Sequence, residues 1–239
     1  MRVDNYFNHT AATFRGLQGQ MNSGYPYAGG RMSGGWVDEN SDNSDELTSI
    51  AYQTLPKILN KIGYDTSFFS PHPDTNALNS MLRSLKFDKV FSADTLPQGS
   101  SPANVKMNSD ISVPDELLFA SLVNYLKNRL EIGANAPFFA ATYNIGTHAF
   151  QDVPEGGSRY GSGDNAALNR FHELDRSLGH FLEYFFASSF SDNTILVLTS
   201  DHASYPEPSV VEALNEPGYK PYFVDRIPLM IYDPRYKLP

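Results

Sequence analysis

The stretch "LDRSLGHFLEYFFASSFSDNTILVLTSDH", residues 174–202, joins two periodicities. Its first half continues a stripe of Leu168, Phe171, Leu174, Leu178, Phe181, Leu182 and Phe185, spaced so that all lie on one side of a helix over 165–187. Past the polar break at "SDN", the run "NTILVLTS", 193–200, is apolar with no polar alternation, which is the pattern of a strand buried on both faces. It ends on Asp201 and His202, two side chains suited to metal ligation, standing together just beyond the carboxyl end of the strand.

The same helix-then-strand unit recurs upstream. Residues 46–62 read as a helix kinked at Pro56 and stopped by Gly63, followed by the β-favouring "DTSFFS". Residues 114–132 open on "PDEL", carry Leu118, Leu122, Tyr125 and Leu126 at helical spacing, and stop at Gly133; "PFFAATYN", 137–144, then reads as a buried strand. A last strand is "IPLMIYD", 227–233. Repetition of this unit predicts an α/β fold, a mainly parallel sheet sandwiched between helices. Such sheets take ligands beyond their strands' carboxyl ends, so His148 in "YNIGTHAF" and the Asp201–His202 pair are expected at one edge of the sheet. Residues 27–45, 97–114 and 151–164 concentrate turn-forming types and are expected to be long surface loops, functional or mobile.

Composition excludes several classes of function. The 239 residues carry 18 Lys and Arg against 27 Asp and Glu, a net charge of -9, and the basic residues do not cluster; a nucleic-acid partner is not expected. The absence of cysteine removes disulfides, thiolate metal sites and cysteine nucleophiles. No apolar run reaches the ~20 residues of a membrane span. "NHT" at 8–10 fits an N-glycosylation acceptor, a pattern too short to carry weight.

From the residues alone, Asp201 and His202 can share one cation if the chain turns sharply enough for both side chains to converge; Asp201 as a turn cap beside a solvated His202 is the competing reading. Thr13 opens an expected short helix in "HTAATFRGLQGQMNSGYP", 9–26, where the helix dipole or a bound cation would activate its hydroxyl, and where Thr10 or Thr13 would serve equally as a cap. His172 and His180 fall on a solvated flank of the 165–187 helix. Tyr25, Tyr27, Trp36, Tyr205 and Tyr222 are exposed-loop aromatics that either pack or stack on sugars.

Taken in order, "TFRGLQGQMNSGYP", "GYDTSFFSPH", "NIGTHAF", "LDRSLGHFLEYF", "NTILVLTSDHA" and "RIPLMIYDP" resemble the sulfatase-like branch of the alkaline phosphatase superfamily, with the nearest likeness to lipoteichoic acid synthase-like phosphoglycerol transferases. The likeness runs from about residue 5 to the end of the chain. It implies Thr13 as nucleophile and metal-bound hydroxyl, Asp201 and His202 as metal ligands, and His148 as a catalytic and substrate-phosphate histidine. It also implies His72, in "FFSPHPD", near the substrate head group. "DTNALN" stands where relatives often carry a Trp-Asn-Arg or Asp-Asn segment, leaving Asn76 and Asn79 as stand-ins there. True sulfatases convert a Cys or Ser within a Cys/Ser-x-Pro-x-Arg segment; "TAATFR" does not supply it, which disfavours sulfate-ester hydrolysis by that route.

The resemblance implies one divalent ion, Mn or Mg foremost with Zn or Ca as options. The substrate would be a phospholipid or glycan-linked phosphodiester, and the reaction would be phosphoglycerol or phosphoryl transfer. Phosphoethanolamine transfer, phosphodiester hydrolysis, other sulfatase-like hydrolysis and a catalytically silent binding module stand as alternatives. Relatives add an acidic ligand from a strand ahead of the nucleophile, whereas the sole acid before Thr13 is Asp4. The expectation is therefore a single catalytic core over 1–239, truncated at both ends and weak in metal binding by itself. It would lie on the extracytoplasmic face of a bacterial membrane, held there through segments outside this chain.

Overall fold

The computed structural model describes residues 1–10, 13–24, 53–97, 112–215 and 224–236. The chain divides into two compact units, one formed by Leu17–Gly146 and the other by Met1–Gly16 with Thr147–Pro239. The expected loop at 27–45 and most of that at 97–114 lie outside the described residues, as do Tyr25, Tyr27, Trp36 and Tyr222.

In the Leu17–Gly146 unit, three parallel strands, β1 (Asp65–Phe69), β2 (Lys89–Phe91) and β3 (Phe138–Thr142), lie in the order β2-β1-β3. The central β1 is buried along Thr66–Phe69, the polar Thr66 and Ser67 included. Phe68 meets Phe87 edge-on at 5.3 Å, and Phe69 stacks on Phe91 at 4.9 Å, so the aromatic run of β1 supplies the core on both faces. Thr66 fixes the β2 register: its hydroxyl donates to the Asp88 carboxylate at 3.1 Å and accepts the Asp88 amide at 2.9 Å.

The helices of this unit show why local chemistry sets their ends. The first described helix after the N-terminal region, Leu55–Lys61, is capped by the Thr54 hydroxyl, and Pro56 sits in its first turn, where its missing N–H would have had no partner. Pro56 therefore starts this helix rather than kinking a longer one; residues 46–52 of the expected helix lie outside the described residues. Gly63, at φ +87, takes the left-handed position past its end. A helix over Ala77–Ser84, not anticipated from the sequence, is capped by Asn76. Asp115–Glu131 follows Pro114 and ends before Gly133, as its pattern predicts. In chain order, with Thr13–Asn22 as α1, these are α2 (Leu55–Lys61), α3 (Ala77–Ser84) and α4 (Asp115–Glu131).

The other unit is built on α5 (Ala166–Ala187), which feeds β4 (Leu196–Thr199); α6 (Pro208–Leu214) and β5 (Leu229–Tyr232) follow. Here one pair is antiparallel beside the parallel pairs of the other unit: β5 runs against β4, with Leu198 opposite Met230. Residues 1–8 then run antiparallel along the other side of β5, with Val3 N–H to Leu229 O at 2.9 Å, Ile231 N–H to Met1 O at 2.8 Å and Ile227 N–H to Tyr6 O at 3.0 Å. Phe185 and Phe186 of α5 meet Tyr232 edge-on, closing the core beneath β5. Asn8 is buried, donating to Thr10 O at 2.6 Å and accepting the Asp225 amide at 2.8 Å, so it anchors the entry to α1 and is not presented for glycosylation.

The segment 151–164, expected as a loop, is irregular but tightly built. The wholly buried Asn169 amide donates to Asp152 and Gly163 O and accepts the Tyr160 amide, while Arg159 pairs with Asp152 at 2.7 Å. Among the described residues no helix is long and apolar enough to cross a membrane.

Candidate active site

Thr13, His148, Asp201 and His202 all belong to the Met1–Gly16 and Thr147–Pro239 unit. Past Thr199 the chain leaves β4 and turns, so that Asp201 and His202 escape the opposite-face geometry of adjacent strand residues. Asp201 Oδ1 accepts the His202 backbone N–H at 3.0 Å, which fixes the turn. His202 Nδ1 lies 2.7 Å from Ala203 O; a carbonyl can only accept, so Nδ1 carries the proton and a neutral ring keeps its lone pair on Nε2. That nitrogen stands 3.6 Å from Asp201 Oδ2, and both side chains are largely covered, at 14% and 21% exposure. Two donors of one Zn- or Mn-sized ion are set about 3.0–3.5 Å apart by bonds of about 2.0–2.2 Å. The pair thus fits as two ligands of one cation, with a carbonyl orienting the imidazole from behind. Among the described residues no group of three or more His, Asp or Glu gathers around one point.

Tyr205 packs on the His202 ring at 5.1 Å, and burial together with the Asp201 charge holds its phenol above the usual range. It is therefore a wall of this turn.

α1 enters the same region through a glycine. A Cβ placed on Gly16 would stand 2.2 Å from Asp201 O and 2.8 Å from Asp201 C, so the helix backbone lies directly on the Asp201 peptide. Thr13 precedes Gly16 by three positions in the same helix, on the same face and one turn nearer the N-terminus.

His148 does not reach this region by standing at the edge of a sheet shared with β4, as the sequence reading expected. Among the described residues β3 and β4 lie in separate sheets, and the chain leaves β3 before Gly146. His148 is exposed; its Nδ1 is 3.0 Å from Ala149 O, which again assigns the Nδ1 proton and leaves Nε2 for chemistry. What ties its loop to the loop after β4 is a buried ion pair that the sequence reading missed. Arg170 of α5 and Glu207, at the N-cap of α6, are each 2% exposed and bonded to one another. Glu207 also accepts the Phe150 amide and the Ser209 hydroxyl, the latter at 2.7 Å, and Arg170 donates to Gln151 O. Burial pushes the Glu207 carboxyl up, but hydrogen bonds from Phe150, Ser209 and Arg170, with the guanidinium charge, outweigh it and hold the group below its ordinary value. Phe150 adopts φ +62, a left-handed conformation that costs a non-glycine residue about 1–2 kcal/mol, and the residue is 75% exposed.

His72 and Asn76 belong to the Leu17–Gly146 unit. His72 follows β1, and its ring lies 5.9 Å from that of Tyr143. Asn76 spends its Oδ1 on the Leu78 amide at 2.9 Å as the α3 cap. Asn79 is wholly buried and donates to His72 O at 3.2 Å and Pro73 O at 2.7 Å, so it shapes the His72 loop from inside rather than meeting substrate. In the same unit, Asp115 accepts the Gly146 amide and the Asn144 side chain, both at 3.0 Å, fixing the chain as it leaves β3.

This architecture is shared with solved structures. The lipoteichoic acid synthase LtaP of Listeria monocytogenes superposes with a TM-score of 0.74 at 17% identity, covering 100% of this chain and 58% of LtaP. A Bacteroides thetaiotaomicron protein described with that organism's metabolism of multiple glycosaminoglycans gives 0.64 at 17% identity, over 98% of this chain and 64% of the other. The C-terminal periplasmic domain of Escherichia coli EptC, solved in complex with Zn, gives 0.53 at 14% identity, over 97% and 61%. The chain thus spans less than two thirds of the length of each. No curated protein matches it. The sulfatase family model matches residues 1–239, and with that match the chain belongs to the sulfatase family.

Proposed function

We propose that the protein is a metal-dependent phosphoglycerol or phosphoryl transferase that acts on a lipid head-group or glycan-linked phosphodiester through Thr13. The observation that carries this reading is the contact of Gly16 with the Asp201 carbonyl, which brings the helix bearing Thr13 against the turn bearing Asp201 and His202. The absence of cysteine and of the Cys/Ser-x-Pro-x-Arg segment supports a threonine rather than a formylglycine as nucleophile. The likeness to LtaP, a lipoteichoic acid synthase, supports a phosphodiester donor, and an extracytoplasmic location agrees with EptC, solved as a periplasmic domain. The family match, unbroken from 1 to 239, supports reading the chain as one catalytic domain.

Asp201 Oδ2 and His202 Nε2 would hold a divalent ion, Mn or Mg foremost, which supplies positive charge that favours an ionised hydroxyl and offsets charge on the phosphoryl oxygens. Thr13 Oγ1 forms a bond to phosphorus as the bond from phosphorus to the leaving alcohol breaks, so that the phosphoryl group, still esterified to its other alcohol, is carried on Thr13. In its doubly protonated form, with Nδ1–H committed to Ala149 O, His148 gives the Nε2 proton to the departing alcohol or donates it as a hydrogen bond to the phosphoryl oxygens. An acceptor alcohol then takes the group from Thr13 in a second displacement.

The test is Thr13→Ala in the full-length protein with Mn and a chromogenic phosphodiester. Turnover should vanish while the fold survives, since a lost cap costs at most about 2 kcal/mol. Mass spectrometry of the acid-quenched parent should find on Thr13 the phosphoryl group with the donor's remaining ester alcohol still attached. Undiminished turnover in the variant moves the nucleophile to Thr10 or outside this scheme.

A further inference from the structure

We propose that Arg170 and Glu207 are positioning residues, a buried clamp that sets His148 in register with the Asp201–His202 turn. Four facts carry it. The pair is closed off from solvent at both ends. Each partner also grips the backbone just past His148, Glu207 through the Phe150 amide and Arg170 through Gln151 O. Glu207 lies on the same short connection as His202, between β4 and α6, so its bonds tie the His148 loop to that connection. Phe150 is held in a left-handed conformation that an aromatic residue does not choose, with its amide aimed inward and its ring outward.

A clamp built only for stability would not need this arrangement. A buried ion pair is replaceable by apolar side chains with little loss, and often with gain, of stability. What an apolar pair cannot reproduce is acceptance of one backbone N–H and donation to the next carbonyl, the two bonds that aim the His148 segment. The clamp itself touches no substrate in this scheme and acts through His148.

The experiment compares the parent protein with the double variant Arg170→Met with Glu207→Leu, and with Glu207→Asp, which keeps the charge but is one methylene short of spanning Arg170 and Phe150. In spectra of protein labelled at histidine nitrogens, the His148 ring signals should shift or split in both variants while those of His180 and His72 stay in place. Unmoved His148 signals in a folded variant overturn the proposal, whatever the protein does to substrate. The second arm rests on the function proposed above. The double variant should turn over a chromogenic phosphodiester about 30- to 100-fold more slowly, bind Mn within about threefold of the parent, and lose less than about threefold more when placed in a His148→Ala background. Losses that multiply in that background, or Mn affinity falling in step with turnover, also overturn the clamp. If His148→Ala itself leaves turnover intact, the role given to His148 fails, and the spectra alone still decide whether the clamp positions it.

Discussion

Gly16→Ala tests whether α1 is seated on Asp201 closely enough for chemistry. The added methyl would sit 2.2 Å from Asp201 O, 2.8 Å from its carbon and 3.1 Å from Cβ. The first two are backbone atoms and cannot swing away, so relief requires α1 or the Asp201 turn to retreat by about 1 Å, the difference from an ordinary contact of about 3.5 Å being shared between them. Overpacking of this kind costs about 1–3 kcal/mol, against which alanine returns about 1 kcal/mol of helix propensity. The expected net loss of stability is therefore about 0–2 kcal/mol, modest because the two effects oppose. Turnover has no such offset: a displacement of about 1 Å between reacting groups can cost about 100-fold. The control is Gly179→Ala in α5, where the new methyl meets nothing within 4 Å and stability should rise by about 0.5–1 kcal/mol with turnover unchanged. Urea unfolding and turnover of a chromogenic phosphodiester with Mn, measured on both variants, decide it. If Gly16→Ala behaves like Gly179→Ala, more stable and fully active, Thr13 is not held against the Asp201 turn and the proposed site dissolves.

Asp201→Asn keeps the oxygen that accepts the His202 amide but removes the charge; Mn affinity by calorimetry should fall by more than about 100-fold, beyond the roughly 10- to 100-fold cost of losing only an orienting partner, while His148→Ala should leave it within about threefold. Acid should also find the clamp. Glu207 has a folded value below its ordinary 4.5, so its contribution to stability is complete above pH 4.5 and is lost as pH falls through the lowered value. Asp152, held low by Asn169, Arg159 and Val153 against the opposing effect of burial, adds in the same direction. The unfolding midpoint should therefore drop below pH 4.5, and less steeply in the variant carrying Arg170→Met and Glu207→Leu. Identical acid limbs in the two proteins would contradict the assignment.

The layered organisation is readable from sequence because burial leaves a period. β1, β3 and β4 and the long helices α4 and α5 fall where apolar runs and stripes put them, bounded by Gly63, Gly133 and Pro114 at the positions those residues favour, but β4 is not buried on both faces as its run predicts, since Val197 is 51% exposed. β2 is three residues long and α3 and α6 are barely two turns, too short for a period to declare itself, and β2 takes its register from the lock of Thr66 with Asp88. The antiparallel return of β5, and the pairing of residues 1–8 along it, were not legible either, since strand direction is a property of the connection and not of the strand's own residues.

The site divides along the same line. Asp201, His202 and Thr13 are marked by chemical type at element ends, and the order of motifs in the chain strengthens the marking. Arg170 is different, for the signal was present and pointed the wrong way. Ala167, Arg170, Ser177, Phe181 and Phe185 are the buried face of α5, whereas Phe171, counted in the apolar stripe, is 45% exposed. The stripe is thus rotated toward Arg170 at its N-terminal end. An arginine in phase with Phe181 and Phe185 demands a buried acid, and Glu207, set between "DHA" and a helix start, is the partner that demand would have sought. Hydrophobic pattern finds the faces that exclude water. The groups that aim a catalytic loop are polar residues placed on those same faces, and they become visible in sequence only when the phase of a helix is read from its exceptions as well as from its leucines.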